Sequence, residues 1–141
     1  NASAYLQWSH PADAAAIKWM LENITDNGPL VEAVGNDYDE YAGRISTHTG
    51  IPGLLGWIGH EDQWRGTRAI HGPRITDIEE LYKTMDWLGA EEILAKYGVR
   101  YVYFGPLEAE KYGTRGLGKF RAHLKVIYET EEVIIFERVV P

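Results

Sequence analysis

Apolar residues three and four positions apart predict several amphipathic helices along the chain. In the first of these helices, Ala16, Ile17 and Met20 recur on one side. A later helix is introduced by Thr76, which suits the N-cap position because Glu79 follows three residues on. The predicted helices span Ala12–Ile24, Tyr38–Ser46, Asp77–Met85, Ala90–Tyr97 and Leu107–Tyr112. Gly98 is predicted to end the fourth of these helices as a cap in the left-handed conformation.

Short apolar runs closed by glycine, proline or asparagine predict strands between the helices. These runs are Leu30–Val34, Leu54–Ile58, Val99–Phe104, Leu124–Tyr128 and Val133–Val139. The first and third should be parallel neighbours or near neighbours in one sheet, because helices intervene and both are apolar on two faces. The last two form a hairpin around Thr130. The pattern therefore predicts an α/β fold of three layers: a mixed, mostly parallel sheet covered by helices, with a C-terminal antiparallel hairpin.

The 141 residues suit a single domain, which we take as residues 3–141. Asn1 and Ala2 are interpreted as an expression scar, and the chain as a fragment of a longer membrane protein. No apolar run approaches the length that crosses a bilayer, so the fragment itself is expected to be soluble. The net charge of −7 disfavours sequence-independent nucleic-acid binding. The absence of cysteine excludes thiol catalysis and disulfides.

The stretch from Glu32 to Gly66 has a composition that core packing does not require. It combines seven glycines and two tryptophans with histidines, acids and arginines. It also follows the first predicted strand, and ligands of open α/β sheets bind outside the carboxyl ends of strands. We therefore predict a binding cleft formed by Glu32, Asp37, Arg44, His60, Glu61 and Arg65, flanked by Tyr38 and Trp64.

Several kinds of chemistry remain open for this cleft. The HEDQW segment lacks the second histidine of the zinc-protease HExxH pattern, because Trp64 stands there, although His48, His60 and His71 could still converge on a metal. A pair of acids could hydrolyse a glycoside, or arginines could neutralise the acids in a buried polar network. Neither a P-loop nor a dinucleotide fingerprint is present, and we predict no cofactor and no metal.

The triplet Asn23-Ile24-Thr25 fits the N-glycosylation sequon. Its position at the end of a predicted helix favours a chance occurrence.

Parts of the chain resemble a known family of membrane proteins. The segments VEAVGNDYDEYAGRISTHTGIPGLLGW, HEDQWRG, DIEELY and YVYFG resemble the Chlor_Arch_YYY family of polytopic membrane proteins from bacteria and archaea, over about residues 13–138. More loosely, a helix with a tryptophan, a strand, an arginine-containing loop and a helix ending in LAKYGVRYVYFG look like the extracytoplasmic domain of C-type membrane glycosyltransferases, oligosaccharyltransferase subunits included. The WWDYG motif of those subunits is absent, unless GNDYDEY is a distant counterpart.

The resemblance implies an extracytoplasmic domain of a cell-membrane protein, with its own transmembrane region as partner and a glycan or lipid-linked sugar as ligand. In such enzymes the catalytic carboxylates lie in membrane-proximal loops outside this domain, so the fragment alone would bind or shape an acceptor without being catalytic. Two alternatives stay open. One is a self-sufficient hydrolase or metal-dependent enzyme using Glu32, His60 and Glu61, and the other is a non-catalytic interaction module.

Overall fold

The computed structural model describes residues 10–34, 43–54 and 72–139. Six helices and four strands occur in these ranges. The helices are α1 (Pro11–Asn23), α2 (Arg44–Thr49), α3 (Gly72–Lys83), α4 (Trp87–Lys96), α5 (Pro106–Tyr112) and α6 (Leu117–His123). The strands are β1 (Leu30–Val31), β2 (Tyr101–Phe104), β3 (Lys125–Glu129) and β4 (Ile134–Glu137). Most of the predicted strand Leu54–Ile58 lies outside the described residues.

The four strands form one sheet in the order β1-β2-β4-β3. Strand β1 pairs with β2 in parallel, with Leu30 opposite Tyr101, which confirms the predicted neighbours. Strand β4 is antiparallel to both β2 and β3. The sheet is mixed, so the prediction that it would be mostly parallel is wrong. The physical reason is that the C-terminal hairpin places β4 directly beside β2 and supplies half of the described sheet.

Helices cover both faces of this sheet. Successive residues of a strand point to opposite faces, and β2 divides its four buried side chains accordingly. Val102 and Phe104 join the apolar cluster that contains α3, α4 and α6, whereas Tyr101 and Tyr103 join the cluster that contains α1 and α2. The two clusters on opposite faces produce the three layers that the alternating pattern predicts.

Helix ends follow the predicted chemistry at one position and depart from it at another. Gly98 has φ +63 after α4, and its N–H and that of Val99 donate to the carbonyls of Ala95 and Leu94, which is a Schellman motif. Thr76 is not an N-cap, because α3 begins at Gly72 and the Thr76 hydroxyl donates to the Gly72 carbonyl inside the helix.

Two helices differ from the prediction. Helix α2 covers Arg44–Thr49 and so extends three residues beyond the predicted end at Ser46. Gly50 follows it as the C-cap. Helix α6 lies between the predicted helix Leu107–Tyr112 and the predicted strand Leu124–Tyr128, where the sequence pattern predicts no helix. Phe120 is fully buried in α6, and Leu117, three residues earlier, packs against the same cluster, so the helical spacing of these two apolar residues prevails over the glycines.

Candidate functional site

Strand β1 ends early because the backbone N–H groups that follow it donate to side chains and not to a neighbouring strand. The Ala33 N–H donates to Glu108 Oε2 at 2.7 Å, and the Val34 N–H donates to the Tyr112 hydroxyl at 3.3 Å. The strand therefore stops at Val31, three residues short of the predicted end. Glu32 lies just beyond the strand and is buried.

Arg44 lies at the centre of a buried polar cluster at this end of the sheet. As the first residue of α2 it is 2% exposed. Its Nη1 donates to Glu32 Oε1 at 3.1 Å and to Glu108 Oε2 at 3.0 Å, while Nη2 donates to Glu108 Oε1 at 3.0 Å. Nε and Nη2 also reach the two carboxylate oxygens of Asp13 at 3.3 and 3.2 Å. All three guanidinium nitrogens are thus engaged, in paired geometry toward Asp13 and Glu108.

The Glu32 carboxylate is occupied by the chain itself. Besides Arg44, Oε1 accepts the Ile45 N–H at 3.1 Å and Oε2 accepts the Ser46 N–H at 2.9 Å. Glu32 thereby binds the first turn of α2, where helix N–H groups have no partner within the helix. Such an acid holds two chain segments together and has little capacity left to bind a reacting group.

Asp13 and Glu108 reach the cluster from helices far apart in the sequence. Asp13 lies in the first turn of α1 and accepts a short hydrogen bond from the Tyr103 hydroxyl. Glu108 lies in the first turn of α5 and accepts the Gly105 N–H at 2.8 Å. Gly105 has to be glycine, because a Cβ there would lie 2.9 Å from the Tyr103 ring and 3.0 Å from Asp13 Oδ1.

Burial and neighbouring charges shift the pKa values of three groups in the cluster. Burial raises the pKa of the Glu32 carboxyl above its ordinary value, although Arg44 acts in the opposite direction. For Arg44, burial alone would lower the pKa of the guanidinium, but Glu108, Glu32 and Asp13 together raise it well above its ordinary value. Burial and Asp13 raise the pKa of the Tyr103 hydroxyl. Arg44 is therefore a permanent cation, and Tyr103 a permanent hydrogen-bond donor.

Two stacked tyrosines adjoin the cluster on the side of α3. The Tyr82 hydroxyl lies 2.7 Å from the Tyr103 carbonyl oxygen and 3.0 Å from that of Val31, so it bridges the ends of β1 and β2. Its ring stacks on Tyr112 with centroids 4.8 Å apart. Burial raises the pKa of Tyr82 well above its ordinary value, so the hydroxyl keeps its proton.

Only part of the predicted cleft falls on described residues. Glu32 and Arg44 are there and form an ion pair, as in the alternative in which arginines neutralise buried acids. Asp37, Tyr38, His60, Glu61, Trp64 and Arg65 lie outside the described residues. The convergence of all eight residues, and their role in binding, stay predictions.

The sequence reasoning missed Asp13 and Glu108, which contribute two of the three carboxylates bound to Arg44. A signal was present for Asp13, since it lies three, four and seven residues before the buried Ala16, Ile17 and Met20 and therefore on the apolar face of α1. An acid on a core-facing stripe needs a buried partner. Glu108 carried the weaker signal of an acid in the first turn after Gly105-Pro106.

The described residues that flank the two undescribed segments lie at the same end of β1. Residues 35–42 are preceded by Ala33 and Val34, both bound to α5, and followed by α2, which Glu32 holds. Gly53 pairs in parallel with Leu30, and the Arg74 side chain donates to the Leu54 carbonyl at 2.8 Å. The chain on both sides of residues 55–71 is thus fixed beside β1.

Within the described ranges, no group of three or more histidines and acids is arranged to hold a metal ion. The three carboxylates that meet near Tyr103 surround the Arg44 guanidinium. The helices in the same ranges include none that is long and apolar enough to cross a membrane.

Comparison with known proteins finds a likeness among solved structures. Neither a protein-family model nor a curated protein sequence matches the chain. Among solved structures, it is similar to the C-terminal globular domain of an oligosaccharyltransferase from Archaeoglobus fulgidus, with a TM-score of 0.57 and 16% sequence identity, over 89% of this chain and 95% of that one. The chain therefore has the fold of a domain found in an oligosaccharyltransferase. At this identity the likeness concerns the fold alone, and the resemblance to the Chlor_Arch_YYY family stays a prediction.

Proposed function

We propose that this chain is the extracytoplasmic domain of a membrane protein of the glycosyltransferase type, where it binds or shapes an acceptor or glycan and is not catalytic by itself. The observation that carries the proposal is the fold shared with an oligosaccharyltransferase domain over nearly the whole of both chains. The hydrogen bonds of Glu32 support the non-catalytic role, because this acid at the end of β1 holds parts of the fold together.

The same geometry argues against a self-sufficient hydrolase built on Glu32. A general acid or base must exchange a proton with substrate while its other contacts leave room for that substrate. Glu32 accepts three hydrogen bonds from Arg44, Ile45 and Ser46, and is 6% exposed. His60 and Glu61 would have to act without Glu32.

The binding surface in this proposal is the end of the sheet where β1 finishes. Residues 35–42 and 55–71 contain Asp37, Tyr38, His60, Glu61, Trp64 and Arg65, and we propose that these side chains contact the ligand. The support is that buried and partly buried hydrogen bonds hold the described chain on both sides of each segment. Residues that bind ligands are commonly carried on segments that a rigid scaffold positions. Tyr38 and Trp64 would supply flat aromatic surface for sugar rings, and Arg65 would face an anionic group such as a lipid phosphate.

A titration of the isotope-labelled chain with oligosaccharides and with a short-chain lipid-linked sugar tests this role. We expect NMR shift changes at the amides of Val34, Ile45 and Ser46, which border the proposed surface. Tyr38→Ala and Trp64→Ala should each weaken binding about tenfold, or about 1.4 kcal/mol. Glu131→Ala, in the exposed turn between β3 and β4, is the matched control and should leave the affinity unchanged. Shift changes confined to another surface, or unaltered affinity in both aromatic variants, would contradict the proposed site.

The membrane context has a separate and simpler test. The reading frame upstream of the chain should encode several apolar spans of about twenty residues, and tagged full-length protein in intact cells should be cleaved in this domain by protease added from outside. Protection from that protease would count against an extracytoplasmic position.

One observation favours the interaction module as a second candidate function. Met85 lies in the connection between α3 and α4 and is 70% exposed, and Leu88 lies in the first turn of α4 and is 69% exposed. Large apolar side chains that are exposed at nearby positions in the chain often contact another protein surface. If Met85→Ser with Leu88→Ser abolishes association with the rest of the full-length protein while glycan binding stays undetected for wild type, this second function replaces the first.

A further inference from the structure

The Asn23-Ile24-Thr25 triplet lies at a place where α1 gives way to extended chain. Helix α1 ends at Asn23, and Ile24 has φ −104 and ψ 121, values typical of a strand. The sequence placed Ile24 inside the helix, which favoured a chance match to the sequon. With the helix ending one residue earlier, the second and third residues of the triplet are outside it.

The backbone orients this triplet toward solvent. The Ile24 side chain packs against the apolar cluster of α1 and α2. In extended chain the neighbouring side chains point away from such a residue. Accordingly Asn23 and Thr25 are both exposed, and the whole stretch from Leu21 to Asn27 is exposed apart from Ile24. A bulky group on Asn23 would therefore displace no core side chain.

The Asn23 amide is held in a way that leaves it able to react. Its Nδ2 donates one hydrogen to the Trp19 carbonyl at 2.8 Å, one helical turn back. Among the described residues the second Nδ2 hydrogen has no partner, and an N-linked glycan replaces one hydrogen of the two. The bond to Trp19 can therefore persist in the modified protein. The chain that follows is also anchored, since Asp26 accepts the Gly28 N–H and the Tyr101 hydroxyl.

We propose that Asn23 is an N-glycan acceptor site of this protein. A bond forms between Asn23 Nδ2 and the anomeric carbon of a lipid-linked sugar, and the bond from that carbon to the phosphate oxygen breaks. The lipid phosphate leaves with the bonding electrons, and a base of the transferring enzyme takes the Nδ2 proton. Thr25 completes the recognition motif. The inference rests on the extracytoplasmic position given under the proposed function, because such transfer occurs outside the cytoplasm.

The test supplies that position directly, so that it can fail independently of the proposed function. The full chain is directed into the secretory compartment of a glycosylating eukaryotic host, and the secreted protein is treated with peptide N-glycosidase in ¹⁸O-water. This treatment converts a glycan-bearing asparagine into ¹⁸O-labelled aspartate. We expect the label at Asn23 by peptide mapping, which also separates this site from the Asn1-Ala2-Ser3 triplet.

Three variants make the result specific. Thr25→Ser keeps the sequon and should be labelled, whereas Thr25→Ala keeps Asn23 but should lose the label, as should Asn23→Gln. Since Asn23 and Thr25 are both exposed, each variant should be secreted and melt at the wild-type temperature. Secreted, folded wild-type protein with unlabelled Asn23 would overturn the acceptor site and leave the glycan-binding proposal intact. Labelled Asn23 in a chain that binds no glycan would support the acceptor site while overturning the proposed function.

Discussion

Two buried cations, Arg44 and Lys119, lie in helices on opposite faces of the sheet and differ in the groups that surround them. Arg44, in α2, is enclosed by three carboxylates. Lys119, in α6, donates to the carbonyl oxygens of Gly116 at 2.8 Å and Tyr82 at 3.2 Å and lies 4.0 Å from the centre of the Phe120 ring. Burial therefore lowers the pKa of the Lys119 ammonium to about 8, with only Glu80 acting against it, whereas the carboxylates reverse the effect of burial on Arg44.

The comparison shows that burial alone does not decide whether an ionic group is retained as a charge. Dipolar carbonyls at the end of a helix favour a cation, but less than full negative charges do. The carboxylate cluster is consequently a fixed ion assembly, while the lysine site can release its proton within an accessible pH range. The predictions below test this difference, beginning with the largest expected effect.

Removal of the Arg44 charge should cost the most stability. Arg44→Met leaves the carboxylates of Asp13, Glu32 and Glu108 buried beside one another without this cation, and we expect a loss of about 3–5 kcal/mol in the free energy of unfolding. Urea denaturation followed by tryptophan fluorescence measures it. Should Arg44→Met fail to fold, Arg44→Lys, which keeps the charge but not the planar fork, should be measurably less stable than wild type. A loss below about 1 kcal/mol in both variants would mean that the cluster is no stronger than a surface pair.

The carbonyl site around Lys119 should be sensitive to one added methyl group. A Cβ at position 116 would lie 2.1 Å from the Tyr82 carbonyl oxygen and 2.6 Å from Lys119 Nζ. Gly116→Ala should therefore destabilise the protein by about 1–3 kcal/mol, because backbone must shift. Gly118→Ala, two residues later and inside α6, is the control, because a Cβ there meets nothing within 4 Å, and it should stabilise by about 0.5–1 kcal/mol. Equal effects at the two glycines would contradict the tight approach of α6 to α3.

Lys119 should give the protein a distinct pH dependence. Its pKa is about 8 in the folded chain and 10.5 ordinarily, so between these values the unfolded state binds more protons than the folded state. Stability due to this group therefore rises with pH over that window, by at most about 1.4 kcal/mol per pH unit. The unfolding free energy of wild type minus that of Lys119→Met should therefore rise from pH 8 to pH 10.5. If the difference between wild type and Lys119→Met is the same at every pH in this range, the shift is refuted.

A surface ion pair should show the smallest effect in spite of its short distance. Arg121 Nη2 lies 2.6 Å from Glu129 Oε2, closer than any Arg44 contact given above, but both side chains are 44% exposed. Arg121→Ala should change the unfolding free energy by about 0–1 kcal/mol, and 1 M salt should reduce the difference further. A salt-insensitive loss comparable to that of Arg44→Met would show that distance matters more than burial.

Local pattern was sufficient where neighbouring residues control the structure. The αL position of Gly98, the hairpin around Thr130 and the apolar strand at Tyr101–Phe104 depend on chemistry within a few residues, and each agrees with the structure. Thr76 shows the limit of this reasoning, because a capping box needs the helix to begin there, and α3 begins four residues earlier.

The candidate site divides in the same way. Glu32 and Arg44 could be selected as unusual charges next to a strand end, and they do form a pair. Asp13 and Glu108 could not be assigned to Arg44, since 31 and 64 residues separate them from it. No spacing rule links side chains across such distances, and only the packing of α1 and α5 against the same end of the sheet brings them together.

Local pattern in the sequence predicted the class of fold and most of its helices and strands, because period and turn chemistry are local properties of the chain. The parallel pairing of β1 with β2 followed from the helices between them and from the two apolar faces of each strand. Tertiary structure decided the insertion of β4 beside β2, the early end of β1 and the identity of the carboxylates around Arg44. These features depend on which buried donors and acceptors meet when helices from distant parts of the chain pack on the sheet, and a buried polar group has to find its partner wherever the fold supplies one.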